Sequence, residues 1–172
     1  VQLLNGVIRD AVAWLVIGEK GEQELGFYFL GRDEGMTFVT ESPVFSARGL
    51  AVVRVFRERE ENAQTWRLVY EEAPLDSVLL RRASQVLPFK NRLIVVAGLP
   101  SISFAYFGWA SRSSRSVDDE SGRQSPQWFL DYDGVRRQQQ PLKVALTMGN
   151  SQSIFDIPFR DDIIFGRASS VE

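Results

Sequence analysis

The chain contains no cysteine and no histidine among its 172 residues. Without cysteine it can form no disulfide framework, and it offers no thiolate ligand or thiol nucleophile. Without either residue type, neither a Ser-His-Asp nor a Cys-His arrangement can form, and an ordinary zinc site lacks its ligands. Of the common catalytic repertoires, carboxylate-dependent chemistry is the one that these absences leave open.

The chain also has little net charge and no long apolar run. Its 20 Lys and Arg residues face 22 Asp and Glu residues, so a net charge of −2 creates no broad field for nucleic acid or an anionic membrane surface. No window approaches the roughly 18 to 20 apolar residues that cross a bilayer. The composition predicts one globular domain over residues 1–172. Because the chain begins with Val1 and not Met, we expect it to be part of a longer protein.

The first segment has the periodicity of an amphipathic helix. Apolar residues recur at spacings of three and four, with polar residues between them, up to Gly18 and a polar run. This pattern predicts a helix over Val1–Ile17. Its apolar stripe consists of Leu3, Leu4, Val7, Ile8, Ala11 and Leu15.

The rest of the chain, 25–172, has the pattern of a β-domain, so the fold class predicted is α+β and β-rich. Short runs rich in β-branched and aromatic residues alternate with turn residues. The runs Leu50–Arg57 and Thr65–Glu72 flank a charged stretch and predict an antiparallel hairpin. Other predicted strands are Leu25–Leu30, Met36–Glu41, Leu93–Ala97, Ser101–Gly108, Trp128–Tyr132, Leu142–Met148 and, less regularly, Ser153–Phe159.

Two segments lack a clear strand pattern. Residues 110–126 are rich in Ser, Arg and acidic residues and predict a long, disordered surface loop. The segment Asp76–Val86 is compatible with either a strand or a short helical turn. In the loop, Asp118, Asp119 and Glu120 could hold a calcium ion, but neighbouring arginines compete for the carboxylates, which favours a solvated loop.

Other acidic residues suggest catalysis or metal binding only weakly. The run Asp131–Gly134 resembles the start of a calcium loop, yet the closing Glu is missing, so we interpret it as a turn. Asp131 with Asp133, or Asp161 with Asp162, could form a hydrolytic pair, but spacing along a chain does not establish that geometry. We therefore predict no catalytic residue, no cofactor and no metal ligand.

Aromatic residues are concentrated in and around Ser101–Gly108. Phe104 and Tyr106 alternate with Phe107 and Trp109, which places the two pairs on opposite faces of a strand. Stacking on sugars or bases is possible, and core packing is the favoured interpretation.

The order of these elements resembles the J-class minor pseudopilins of type II secretion systems. The helix Val1–Ile17 is similar to the periplasmic half of the long pilin helix. The runs Gly49–Val55 and Trp66–Glu71 are similar to the central hairpin of that family, and Leu93–Gly98 with Ile102–Phe107 to its next strand pair. Phe38–Glu41, Trp128 and the Pro-led strand Pro141–Thr147 also fit, whereas the loop 110–126 and the tail after Met148 have no counterpart.

This resemblance implies a pilin-like fold in which the N-terminal helix packs on antiparallel sheets. It implies a non-enzymatic periplasmic domain, anchored in the inner membrane by an upstream helix. The implied partners are the I- and K-class pseudopilins at the pseudopilus tip, and the implied role is support of protein export. The apolar stripe on the helix would then be shared between the domain and its partners, which makes its six residues the predicted partner interface.

Three other functions fit the same sequence. A minor pilin of a type IV pilus shares the plan of a helix and a sheet. An exported glycan-binding domain could use Trp109 and Trp128. A carboxylate-dependent hydrolase could use Asp131 and Asp133.

Overall fold

A computed structural model describes residues 1–46, 49–76, 78–115 and 125–158. Within these ranges the protein is mainly antiparallel β-sheet with few helical residues, so the β-rich prediction is confirmed. The helices described are α1 Gln2–Arg9, α2 Arg112–Arg115 and α3 Gly134–Arg137. The strands described are β1 Ala11–Val12, β2 Leu15–Gly18, β3 Gly21–Phe27, β4 Phe29–Arg32, β5 Gly35–Thr40, β6 Ala51–Arg59, β7 Trp66–Pro74, β8 Asn91–Leu99, β9 Ile102–Gly108, β10 Gln127–Phe129, β11 Tyr132–Asp133, β12 Lys143–Met148 and β13 Ser151–Asp156.

The larger sheet is built around the hairpin that the sequence predicts. Its strand order is β11-β4-β5-β6-β7-β8, and β1 pairs with β5. Strands β6 and β7 pair over nine residues without a register shift, which confirms the predicted hairpin. Val53 and Val55 are buried in the main core, whereas Arg54 between them lies on the other face, as the two-residue period of a strand requires.

The second sheet has four strands in the order β10-β9-β12-β13. Apolar residues on one face of β9 and β12, including Phe104, Tyr106 and Leu146, join the main core with residues of the larger sheet. The runs Leu93–Ala97 and Ser101–Gly108 are both strands, as predicted. They do not pair with each other, because β8 pairs with β7 and β9 pairs with β10 and β12.

The helix is shorter than predicted, since it ends at Arg9 and not at Ile17. After Asp10 the chain turns into β1, where Ala11 and Val12 pair with Thr40 and Val39. Residues Leu15–Gly18 then pair with β3 in a separate two-stranded sheet. The apolar periodicity continues past Arg9, but the residues there, several of them β-branched, pair with other strands. This tertiary pairing overrides their weak preference for a helix.

A second core covers the other face of the larger sheet. It contains Trp14 and Val16 together with Leu80 and Leu87, and the Trp14 indole nitrogen donates a hydrogen bond of 3.0 Å to the Leu80 carbonyl oxygen. The segment Asp76–Val86, where residue 77 is not described, contributes an isolated bridge between Ile17 and Arg82. The segment covers this face of the sheet with buried Leu80 and with half-buried Val78 and Ala83.

The strand borders of the sequence analysis are corrected at several places. Strand β5 lies between β4 and β6, and β12 lies between β9 and β13, so both are inner strands of their sheets. The predicted strand Trp128–Tyr132 is divided between β10 in the second sheet and β11 in the larger one. In the predicted loop 110–126, Arg112–Arg115 form a helical turn, α2.

Some predicted features fall outside the described residues. These are Asp118, Asp119 and Glu120, the pair Asp161 and Asp162, and the end of the tail. The described part of the tail contains β13, which pairs with β12 across all six residues.

Gly26 on β3 gives a test of the packing between β3 and α3. A Cβ atom at Gly26 would lie 2.3 Å from the Val135 Cα atom and 2.5 Å from the Val135 carbonyl oxygen, so main chain would have to move. We expect Gly26→Ala to lower the free energy of unfolding by about 1–3 kcal/mol, measured by urea denaturation. Gly6→Ala is the control because a Cβ there meets no atom within 4 Å, and we expect equal or higher stability. Equal stability of both variants would contradict the close packing of β3 on α3.

Candidate functional site

The predicted partner interface lies mostly inside the domain. Leu4, Val7, Ile8 and Ala11 belong to the main core, with at most 2% of each residue exposed. Leu3 is half-buried against that core, and Leu15 is half-buried on β2. The domain's own sheets cover these four residues, so a partner cannot reach them while the domain is folded. This leaves Leu3 and Leu15 as the accessible part of the predicted interface. Partner binding there stays a prediction.

The opposite side of α1 is open, and we call Gln2, Asn5, Gly6 and Arg9 the open helix face. Gln2, Asn5 and Arg9 are exposed, and their spacing of three and four places them on one side of the helix with Gly6. A Cβ atom at Gly6 would meet no atom of the described residues within 4 Å. A glycine inside a helix costs about 1 kcal/mol relative to alanine, and no close approach within the domain requires one at this position. This face is therefore a candidate surface for a closely packed partner.

An exposed aromatic surface lies on the second sheet. Trp128 on β10 is 46% exposed and contacts Phe107, with ring centroids 5.3 Å apart, whereas Phe104 and Tyr106 on the same strand as Phe107 are buried. The predicted alternation of aromatic faces is thus confirmed. Trp109 is half-buried, and its carbonyl oxygen accepts a hydrogen bond from the Tyr132 hydroxyl at 2.7 Å. Glycan binding by Trp109 and Trp128 stays a prediction.

Asp131 directly precedes β11, and Asp133 is the last residue of that strand. Catalysis by this pair stays a prediction. The Asp133 carboxylate accepts hydrogen bonds from the amides of Val135 and Arg136, at 3.0 and 3.2 Å, and so caps α3. The interpretation of Asp131–Gly134 as a turn is wrong, because Tyr132 and Asp133 form β11 and Gly134 begins α3. Within residues 1–46, 49–76, 78–115 and 125–158, no group of three acidic side chains has the arrangement of a metal site.

An ion-pair network crosses strands β6, β7 and β8. Arg54 and Arg92 both contact the Glu71 carboxylate, and Arg67 and Arg92 both contact Glu58. Hydrogen bonds from Arg92 and Arg67 hold the pKa of the Glu58 carboxyl below its usual range, and the bond to Glu58 raises the pKa of Arg92. The pairing of Glu71 with Arg54 and Arg92 follows from strand register, which the sequence alone did not provide.

Glu72, next to Glu71, is completely buried on the other face of β7. Its Oε1 atom accepts hydrogen bonds from the amides of Phe45 and Ser46, at 3.0 and 2.7 Å, and from the Ser46 hydroxyl at 3.0 Å. Its Oε2 atom accepts bonds from the Val44 amide at 2.9 Å and the Tyr70 hydroxyl at 2.6 Å. Glu72 is not among the functional residues predicted from the sequence. The alternation of apolar residues along β7 places position 72 on the same face as Leu68 and Tyr70. This pattern was the signal in the sequence that could have indicated the burial of Glu72.

Within the described part of the chain, no helix has the length and apolar character needed to cross a membrane. Comparison of the sequence with protein-family models and with curated proteins finds no significant match.

Proposed function

We propose that this protein is a non-enzymatic minor pseudopilin of a type II secretion system. In this role it assembles with other minor pseudopilins, of the I and K classes, at the tip of the pseudopilus and supports protein export. The observation that carries the proposal is the two-sided character of α1. One side contributes Leu4, Val7 and Ile8 to the main core, and the open helix face is directed away from it.

The order of the elements supports the same proposal. A pilin-like domain places its N-terminal helix on antiparallel strands and follows it with a central hairpin. Here α1 contacts β13 and shares the main core with both sheets, and β6 and β7 form the central hairpin of the larger sheet. We interpret this arrangement as pilin-like, with the helix ending at Arg9 and not at Ile17.

The proposed assembly differs from the interface that the sequence predicted. Because four stripe residues are buried, partner helices would pack on the open helix face and on half-buried Leu3. Gly6 would allow the partner helix to approach closely, as small residues do at helix contacts. The location that the resemblance implies, a periplasmic domain of an inner-membrane protein, belongs to this proposal.

The proposal is tested by placing a large side chain at Gly6. The Cβ atom of a leucine at position 6 meets no atom of the described residues within 4 Å, and Gly6→Leu removes a helix-disfavouring glycine, so we expect unchanged or increased stability. We expect binding to the I- or K-class pseudopilin of the same secretion system to weaken at least tenfold, or about 1.4 kcal/mol, measured by calorimetric titration of purified domains.

The matched control is Ser84→Leu, which adds the same side chain at an exposed position of the segment that covers the other face of the larger sheet. It should bind like the unmodified protein. Failure of the unmodified protein to bind either class would contradict the proposal. Binding to a type IV minor pilin in their place would favour the alternative pilus function.

A further inference from the structure

We call residues Thr40–Ser46 the strap; they form the first part of the connection between β5 and β6. The strap begins at the last residue of β5, and the structure describes it up to residue 46. Its apolar side chains Val44 and Phe45 are about two-fifths exposed, at 40% and 44%. Burial of apolar surface therefore contributes only part of what holds the strap in place, and polar contacts must account for the rest.

One end of the strap is bound to the last turn of α1. The Thr40 hydroxyl donates hydrogen bonds to the carbonyl oxygens of Val7, at 2.8 Å, and Asp10, at 3.2 Å. The Glu41 amide donates to the Asp10 carbonyl oxygen at 3.0 Å, and the Ser42 hydroxyl donates to the Asp10 carboxylate at 2.5 Å. These bonds satisfy carbonyl groups that a helix leaves without partners at its C-terminus.

The other end of the strap is bound to Glu72 on β7. Three successive amides, of Val44, Phe45 and Ser46, and the Ser46 hydroxyl donate to the Glu72 carboxylate. Successive amides that converge in this way form an anion-binding concavity. Here the anion is a side chain of the same protein, and it is completely buried. Tyr70, the fifth donor, is buried beside it.

We propose that Glu72 is the latch of a strap that couples the end of α1 to the larger sheet. The carboxylate and the strap depend on each other, because a buried charge requires hydrogen-bond donors and the three amides require an acceptor. Removal of the charge frees the strap from β7. Through Ser42 and Glu41, the freed strap then loosens the last turn of α1. This coupling does not depend on the proposed secretion function.

The test is amide hydrogen exchange, followed by NMR, in Glu72→Gln. The carboxamide keeps the shape of the side chain, but it replaces one acceptor oxygen with a donor that faces other donors. We expect protection of the Val44, Phe45 and Ser46 amides to fall roughly tenfold or more. The Asp10 amide, which donates to the Gly6 carbonyl oxygen at 3.2 Å, should lose protection about threefold or more. The loss of protection at each of these amides is compared with the loss at the Val53 amide on β6, which measures the stability of the larger sheet.

Glu71→Gln is the matched control, since it makes the same change one residue away on the opposite face of β7. It should leave the strap and Asp10 unchanged relative to Val53. If Glu72→Gln fails to fold, Ser46→Ala replaces it, because this change removes one of the five donors and retains the charge. We then expect the Val44 and Phe45 amides to lose protection from exchange roughly twofold to fivefold. Strap amides that lose no more protection than Val53 would overturn the latch. Loosened strap amides with an unchanged Asp10 amide would overturn the coupling to α1.

Discussion

Leu4→Asp is expected to unfold the domain. Leu4 is completely buried in the main core among residues of α1 and of both sheets. The substitution removes a large apolar side chain, which alone costs about 2–5 kcal/mol in a well-packed core, and it adds a carboxylate with no partner there. Because domains of this size have a total stability of about 5–15 kcal/mol, we expect loss of the cooperative thermal transition in circular dichroism.

The control for Leu4→Asp is Asn5→Asp on the open helix face. This substitution introduces the same charged group on the same helix, but Asn5 is exposed. Its effect should remain within about 0.5 kcal/mol. A folded Leu4→Asp variant with near-normal stability would instead support the prediction from sequence that this stripe is available to partners.

The second large effect is expected in alkaline solution, where the four tyrosines of the chain should resist ionisation. Burial raises the pKa of Tyr28 and of Tyr132 to about 12 each, against the opposing effects of Arg54 and Arg137. Burial also raises the pKa of Tyr106 and of Tyr70, and for Tyr70 the hydrogen bond to Glu72 adds to the effect. Ultraviolet titration of the folded protein should therefore show almost no tyrosinate at the usual pKa, about 10.

The same shifts predict how stability depends on pH. The neutral tyrosines favour the folded state, so their contribution is fully present below about pH 10, the pKa in the unfolded chain. It is lost as the pH rises through the folded values, about 12 for Tyr28 and Tyr132. At pH values between the unfolded pKa and its folded pKa, each tyrosine lowers the free energy of unfolding by about 1.4 kcal/mol per pH unit. The urea-unfolded protein is the control, and early titration of two or more tyrosines in the folded protein would contradict their burial.

The prediction of the candidate site from sequence was limited by one property of amphipathic helices. Periodicity identifies an apolar face, but it does not distinguish a face that packs on the same chain from one that packs on a partner. Leu4 and Ile8 belong to the first kind, because the domain's sheets already cover them. Gly6 was not singled out, since its significance depends on the empty space around it. Glu72 was also missed, because its donors come from a segment far away in sequence.

The sequence by itself determined the absence of thiol and imidazole chemistry, the β-rich class and the pairing of β6 with β7, since composition and two-residue alternation are local properties. Only the tertiary structure decided that the helix ends at Arg9, where residues 11–18 find strand partners. It also decided that the domain's own sheets cover the apolar side of α1, which strands lie inside the sheets, and that Glu72 is buried while Glu71 pairs with arginines. These outcomes depend on contacts between residues distant in sequence, and the free energies of those contacts exceed the small preferences of local segments.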